Sequence, residues 1–216
     1  ALRLSQIGQL FRQYWVVDDT EQGAYVSYDA EDFMGILALE SRRNQCLVVG
    51  ENIGWLASDI SDTLHQRGIL TEQVLYCEKI DDYTFRAPED YPHHSIATVT
   101  NHQLPTLKAF WKGEDLERQD ELDLFSSPEA RQREITLRAA DRAALLLALE
   151  KQQLLPDGML PDPAQIPEMT NALAIAIHHF LALAPSRMFM VQLENLIESP
   201  DAHWSEQSES ILSSSE

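Results

Sequence analysis

Basic residues are scarce in this chain. Only 16 lysines and arginines face 35 aspartates and glutamates in 216 residues, a formal charge of −19. A surface of that sign repels phosphate backbones and anionic headgroups, which argues against nucleic acid and against the membrane surface as partners. A neutral ligand such as a sugar is compatible with it. Cysteine is nearly absent. Cys46 and Cys77 sit inside apolar runs (CLVV and VLYC), with no CxxC and no Cys/His spacing of a zinc site. They read as thiols in a reducing cytoplasm. Long hydrophobic runs are missing too. The most apolar stretch, ALAIAIHHFLALA, is interrupted by His178 and His179 and is far short of the roughly 20 residues a membrane span needs. No basic segment followed by an apolar one marks a signal peptide. These absences lead to the expectation of a soluble cytoplasmic protein. The opening ALRLSQIGQLF has no methionine and is already apolar, so it reads as a sequence cut into.

At 44% hydrophobic residues the chain can build one sizeable core. Residues 1–4 read as a strand. Asp29 is placed to cap a helix in which Asp32 lies in the first turn and Phe33, Ile36, Leu37 and Leu39 fall at helical spacing. Residues 46–50 (CLVVG) read as a short buried strand, and residues 58–67 as an amphipathic helix stopped by Gly68. QVLYCE (73–78) and IATVTN (96–101) are further strand candidates. The strongest helical pattern runs from Pro128 to Gln153, and prolines 156, 161, 163 and 167 mark a linker. An apolar helix over 171–184 and a core strand at Met188–Phe189–Met190 follow. After Pro200 the polar tail, 201–216, reads as disordered.

Alternation of strands and helices points to an α/β protein with a parallel sheet. Polar residues cluster where those strands end, the usual place for chemistry in such sheets. Glu51 follows VVG, Glu78 follows VLYC, Asn101 and His102 follow ATVT, and Gln192 and Glu194 follow FMV. A carboxylate after a buried strand is costly unless it is solvated, paired or used. Taken alone, Glu51 reads first as a capping or ion-paired structural residue. The adjacent pairs His93–His94 and His178–His179 do not read as metal sites; on a helix neighbouring residues point about 100° apart, so His178 and His179 cannot share an ion without other ligands. Tyr14, Trp15, Tyr25 and Tyr28 could stack on sugar rings, although core packing is the expectation for at least half of them.

In order along the chain, ALRLSQIGQLFRQYW, GAYVSYDAEDFMGILALES, LVVGENIG, GILTEQVLYCEK, FRAPEDYP, ATVTNHQLPTLKAFW and MVQLENLI resemble the 4-α-glucanotransferases (amylomaltase, or disproportionating enzyme). The resemblance covers residues 1–200. It implies an α/β fold, part of a (β/α)8 TIM-type barrel with helical insertions. It also implies the retaining transfer of α-1,4-glucan segments between maltooligosaccharides, with no cofactor. By this resemblance Arg3 matches an arginine of the donor site, Glu51 the general acid/base of G-E-D-L-G, and His102 the histidine of T-H-D that contacts the donor sugar.

Retaining chemistry needs a carboxylate nucleophile roughly 5 Å from a proton donor. The family pattern R-I-D-H is here Arg3–Leu4–Ser5–Gln6, so Ser5 stands at the nucleophile position. T-H-D is here Asn101–His102–Gln103, so Gln103 stands at the position of the third carboxylate. A serine hydroxyl without a neighbouring base is a far poorer nucleophile than a carboxylate. The expectation is a chain impaired or inactive by itself. The alternative is a pseudoenzyme that binds α-glucan or a partner protein. Part of a barrel exposes sheet edges, so another chain covering them is a further expected partner.

Overall fold

The computed structural model describes residues 1–17, 22–52, 57–81 and 83–196. The tail at 201–216 lies outside them. In chain order the elements are β1 (Leu2–Leu4), β2 (Arg12–Val16), β3 (Gly23–Ser27), α1 (Ala30–Arg43), β4 (Val48–Gly50), α2 (Ser58–Gln66) and β5 (Leu70–Val74). Then come β6 (Lys79–Asp81), β7 (Thr84–Phe85), β8 (Ser95–Thr98), α3 (Leu107–Lys112), α4 (Glu114–Glu121), α5 (Pro128–Lys151), α6 (Asn171–Ala182) and β9 (Met188–Met190). Five strands form one sheet in the order β1-β4-β5-β8-β9. β1 with β4 and β4 with β5 are parallel. Among the described residues no helix is long and apolar enough to cross a membrane.

The chain divides into two compact units, the first comprising Ala1–Gln73, Pro92–Ile96 and Ser186–Met188. Its sheet has two differently furnished faces, because strand side chains alternate. On one face Val48 and Ile69 pack with Ile7, Met34, Ile60 and Leu64, joining the sheet to α1 and α2. On the other, Val49, Leu70 and Ile96 form a small apolar layer. α1 starts where expected: Asp29 accepts a hydrogen bond from the Glu31 N–H at 3.3 Å. Glu31 and Asp32 near its start and Arg42 and Arg43 near its end complement the helix dipole. Only Met34 and Leu37 of its apolar residues join the core, whereas Phe33, Ile36 and Leu39 are exposed. Gly68, at φ +74°, follows α2 in the left-handed conformation that suits glycine.

Three expectations are corrected here. The strand at 73–78 lies earlier: β5 covers Leu70–Val74, and Leu75–Cys77 is a 3-10 turn. Thr71, Glu72 and Gln73 interrupt its apolar pattern yet are all buried, which hid the strand. Tyr14, Trp15 and Tyr25 do not pack in a core. They stand exposed on the β2–β3 hairpin, with Tyr28 half-buried just after it. Met188–Phe189–Met190 does form a strand, but β9 is last in the sheet and all three side chains are exposed.

The second unit comprises Val74–Tyr91, Ala97–Pro185 and Phe189 onward. Leu145, Leu146 and Leu149 of α5 pack with Leu173, Ile177, Phe180 and Leu181 of α6 around the fully buried Trp111. Ser127 caps α5 and Thr170 caps α6, each hydroxyl accepting a backbone N–H. Arg138 forms a bidentate pair with Asp115 at 2.7 and 2.6 Å and stacks on Phe110. The proline-marked segment is not a loose linker. The Trp111 indole donates to the Ile166 carbonyl at 2.9 Å, and Arg142 donates to the same carbonyl and to that of Pro163.

Gly50 ends β4 against Ile7: a Cβ there would lie 2.7 Å from Ile7 Cδ1. Gly50→Ala should therefore cost about 1–3 kcal/mol of stability from overpacking. Adding Ile7→Val, which deletes that Cδ1, should recover part of the loss in urea unfolding.

Candidate active site

Register builds the site. Arg3 pairs with Val49 across β1 and β4, and Val49 pairs with Leu70 on β5. Two residues further along each strand, on the same face, come Ser5, Glu51 and Glu72. A polar row thus sits directly beyond the apolar layer of Val49, Leu70 and Ile96, just past the ends of β1 and β4 and midway along β5.

One guanidinium ties this row together. Arg3 Nη2 donates to Glu51 Oε1 at 2.9 Å and to Glu72 Oε2 at 2.8 Å. Arg3 Nε also donates to Glu72 Oε2 at 3.3 Å, and Nη1 donates to Ser5 Oγ at 3.3 Å. Glu51 is 5% exposed and Glu72 only 1%, so neither carboxylate has bulk water to screen it. Burial works against the charged guanidinium of Arg3. The hydrogen bond and charge of Glu72, then the charge and hydrogen bond of Glu51, outweigh that and raise its pKa above the ordinary value. The second oxygen of Glu51 is held by the chain itself: Gln6 N–H donates to Oε2 at 2.8 Å. Gln6 adopts φ 51°, ψ 45°, a left-handed conformation uncommon for a residue with a Cβ, and this turns its amide toward Glu51.

Beside Glu51 opens a cavity of about 460 Å³ within the first unit. Its wall is rich in neutral hydrogen-bonding groups, with Gln6, Gln9, Gln13 and Asn52 all lining it. Tyr14 and Tyr25 supply aromatic surface, meeting edge to face at 5.1 Å, and Arg12 lies 5.1 Å from the Tyr25 ring centre. Trp15 Nε1 donates to the Tyr28 hydroxyl at 2.9 Å, which in turn donates to Gln13 at 3.1 Å.

Of the residues singled out in the sequence, Arg3, Ser5 and Glu51 are brought together. Glu72 joins them without a local signal, because it sits in the polar triplet Thr71–Glu72–Gln73. His102 and Gln103 belong to the second unit, in the turn after β8, where His102 is exposed. Asn101 is buried there and accepts the Gln103 N–H at 3.0 Å, while its own Nδ2 and the Gln103 Oε1 have no partner among the described residues.

The 4-alpha-glucanotransferase family profile matches residues 1–209. The chain belongs to that family. It is 34% identical over 198 residues to the 4-alpha-glucanotransferase of Haemophilus influenzae, a match covering 91% of this chain and 28% of that protein. The chain thus spans less than a third of that relative's length. In structure it is similar to the amylomaltase from Corynebacterium glutamicum, at 25% identity and a TM-score of 0.76, over 88% of this chain and 27% of that one. It also shares a fold, at 10% identity and a TM-score of 0.54, with the amylomaltase from Streptococcus agalactiae in complex with acarbose; that match covers 98% of this chain and 39% of the other. The parallel sheet with its helices is an α/β fold, part of a TIM-type barrel.

Two measurements check the electrostatics. Arg3→Met leaves two buried carboxylates without their cation and should cost about 3–5 kcal/mol in denaturant unfolding. In the second unit Glu78, buried and paired with Arg86 at 3.0 Å, has its pKa raised by burial despite that arginine. A raised carboxyl pKa means that the folded state binds the proton more tightly than the unfolded one. Its stabilising contribution is full below the ordinary 4.5 and is lost as pH rises through the higher folded value. Glu78→Gln should flatten the stability–pH curve on the acid side just above 4.5.

Proposed function

We propose that this chain is a maltooligosaccharide-binding relative of the 4-α-glucanotransferases, with Glu51 in the acid/base place and glucan transfer impaired or lost. The observation that carries the reading is the cavity beside Glu51. Carboxamides on its wall can hydrogen-bond sugar hydroxyls, and Tyr14 and Tyr25 can lie against a pyranose ring. A net negative surface admits such a neutral ligand. Arg3 and His102 are the further sugar contacts carried over from the family, and the acarbose bound by the Streptococcus agalactiae amylomaltase supports a glucan-type ligand.

Transfer is a different matter. Ser5 Oγ touches Arg3, a cation that cannot take its proton, so the hydroxyl at the nucleophile position has no base in the contacts described. Gln103 cannot supply the third carboxylate. A second role, binding a partner chain along the sheet edge, is favoured by the exposed Met188, Phe189 and Met190 of β9. The cytoplasm fits Cys46 and Cys77, neither of which forms a disulfide.

Maltoheptaose should bind in titration calorimetry, and Tyr14→Ala or Tyr25→Ala should each weaken binding by on the order of 1 kcal/mol, about fivefold in Kd. Heat-silent titrations at high ligand concentration would sink the binding reading. With maltotriose, the chain should release no glucose and form no longer oligomers. Glucose release at high protein load, abolished by Glu51→Gln, would instead make it an active transferase. Ser5→Asp combined with Gln103→Asp should bring product formation back to a measurable level.

A further inference from the structure

Glu72 has no part in the reading above, yet it is the most buried charged group of the polar row. It does not line the cavity beside Glu51, so a ligand there does not touch it. Thr71 and Gln73 point to the opposite face, where Gln73 Nε2 donates to Thr71 Oγ1 at 2.9 Å. Glu72 alone turns toward Arg3. Its Oε2 accepts both Nε at 3.3 Å and Nη2 at 2.8 Å, gripping one edge of the guanidinium. The other Nη2 hydrogen is left for Glu51, and among the described residues the Nη1 side meets only the neutral Ser5 hydroxyl.

We infer that Glu72 is a positioning residue that supplies the counter-charge for Arg3 which position 5, a serine, does not. The guanidinium is planar and its donors are fixed in a fork. Holding its Nε/Nη2 edge therefore fixes the direction of the remaining Nη2 hydrogen, and with it the Glu51 carboxylate at the cavity wall. Glu72 acts on a ligand only through Arg3 and Glu51. The geometry of this clamp stands by itself; the statement that position 5 is a carboxylate place rests on the family reading of the proposed function.

The test moves the charge. Ser5→Asp in the otherwise unchanged chain puts a third carboxylate on one arginine and should lower the folding equilibrium constant. In a Glu72→Gln background the same change returns the missing counter-charge and should raise it. The two positions should therefore couple by about tenfold in the unfolding equilibrium. Additive effects, within roughly twofold, overturn the inference. A second readout is the NMR signal of the Arg3 Nε–H, identified by its loss in Arg3→Lys. Its solvent exchange should be slow in the unchanged chain and in Glu51→Gln, and fast in Glu72→Gln. Fast exchange in the unchanged chain, or equal loss of protection in Glu51→Gln, overturns the inference even where a variant fails to fold. Both readouts are taken without glucan, so failure to bind maltoheptaose counts against the proposed function and not against the clamp.

Discussion

Arg3 is the one cation of the polar row, and two buried carboxylates converge on it. Taking a carboxylate out of water costs several kcal/mol unless a partner with good geometry receives it. Arg3 receives two, from β4 and β5, while sitting on β1 itself. Three parallel strands are thus linked by one side chain. The arrangement works only in the observed register: a shift of one residue in any strand would turn its member of the trio to the opposite face, among Val48, Ile69 and the helices. The apolar layer of Val49, Leu70 and Ile96 beneath the trio supplies the packing that holds this register.

The same clamp defines what the site can do. Both oxygens of Glu51 accept hydrogen bonds, one from a side chain and one from the backbone of Gln6. Glu51 is thus held on both oxygens where the cavity opens. Glu72 lies behind it, out of the cavity's reach. The trio sets two carboxylates against one guanidinium, and Ser5 beside them adds only a neutral hydroxyl. The cavity wall beside the trio offers amides and tyrosines, with Glu51 as its carboxylate.

The β2–β3 hairpin shows why composition misleads about aromatics. Tyr14, Trp15 and Tyr25 would ordinarily be placed in a core on size and hydrophobicity. They stay exposed because a two-stranded hairpin has no second layer to bury them against. The Trp15 indole finds a partner in the Tyr28 hydroxyl, which in turn donates to Gln13. The β9 edge exposes apolar side chains as well, Met188, Phe189 and Met190, in a chain that spans 28% of its Haemophilus influenzae relative.

Read alone, the sequence determined what depends on neighbours in the chain. Asp29 and Gly68 mark helix ends, Pro128 opens the long helix α5, and short apolar runs ending in polar residues mark β1, β4 and β8. The order of family motifs identified the family. Only the tertiary structure decided that Glu72 joins Glu51 on Arg3. Those carboxylates lie 69 and 48 positions from the arginine, and they meet through strand register, which long-range packing sets and no local pattern records. Burial of Thr71, Glu72 and Gln73 was likewise invisible, because a polar triplet reads as a surface segment until the sheet and its two packed faces enclose it.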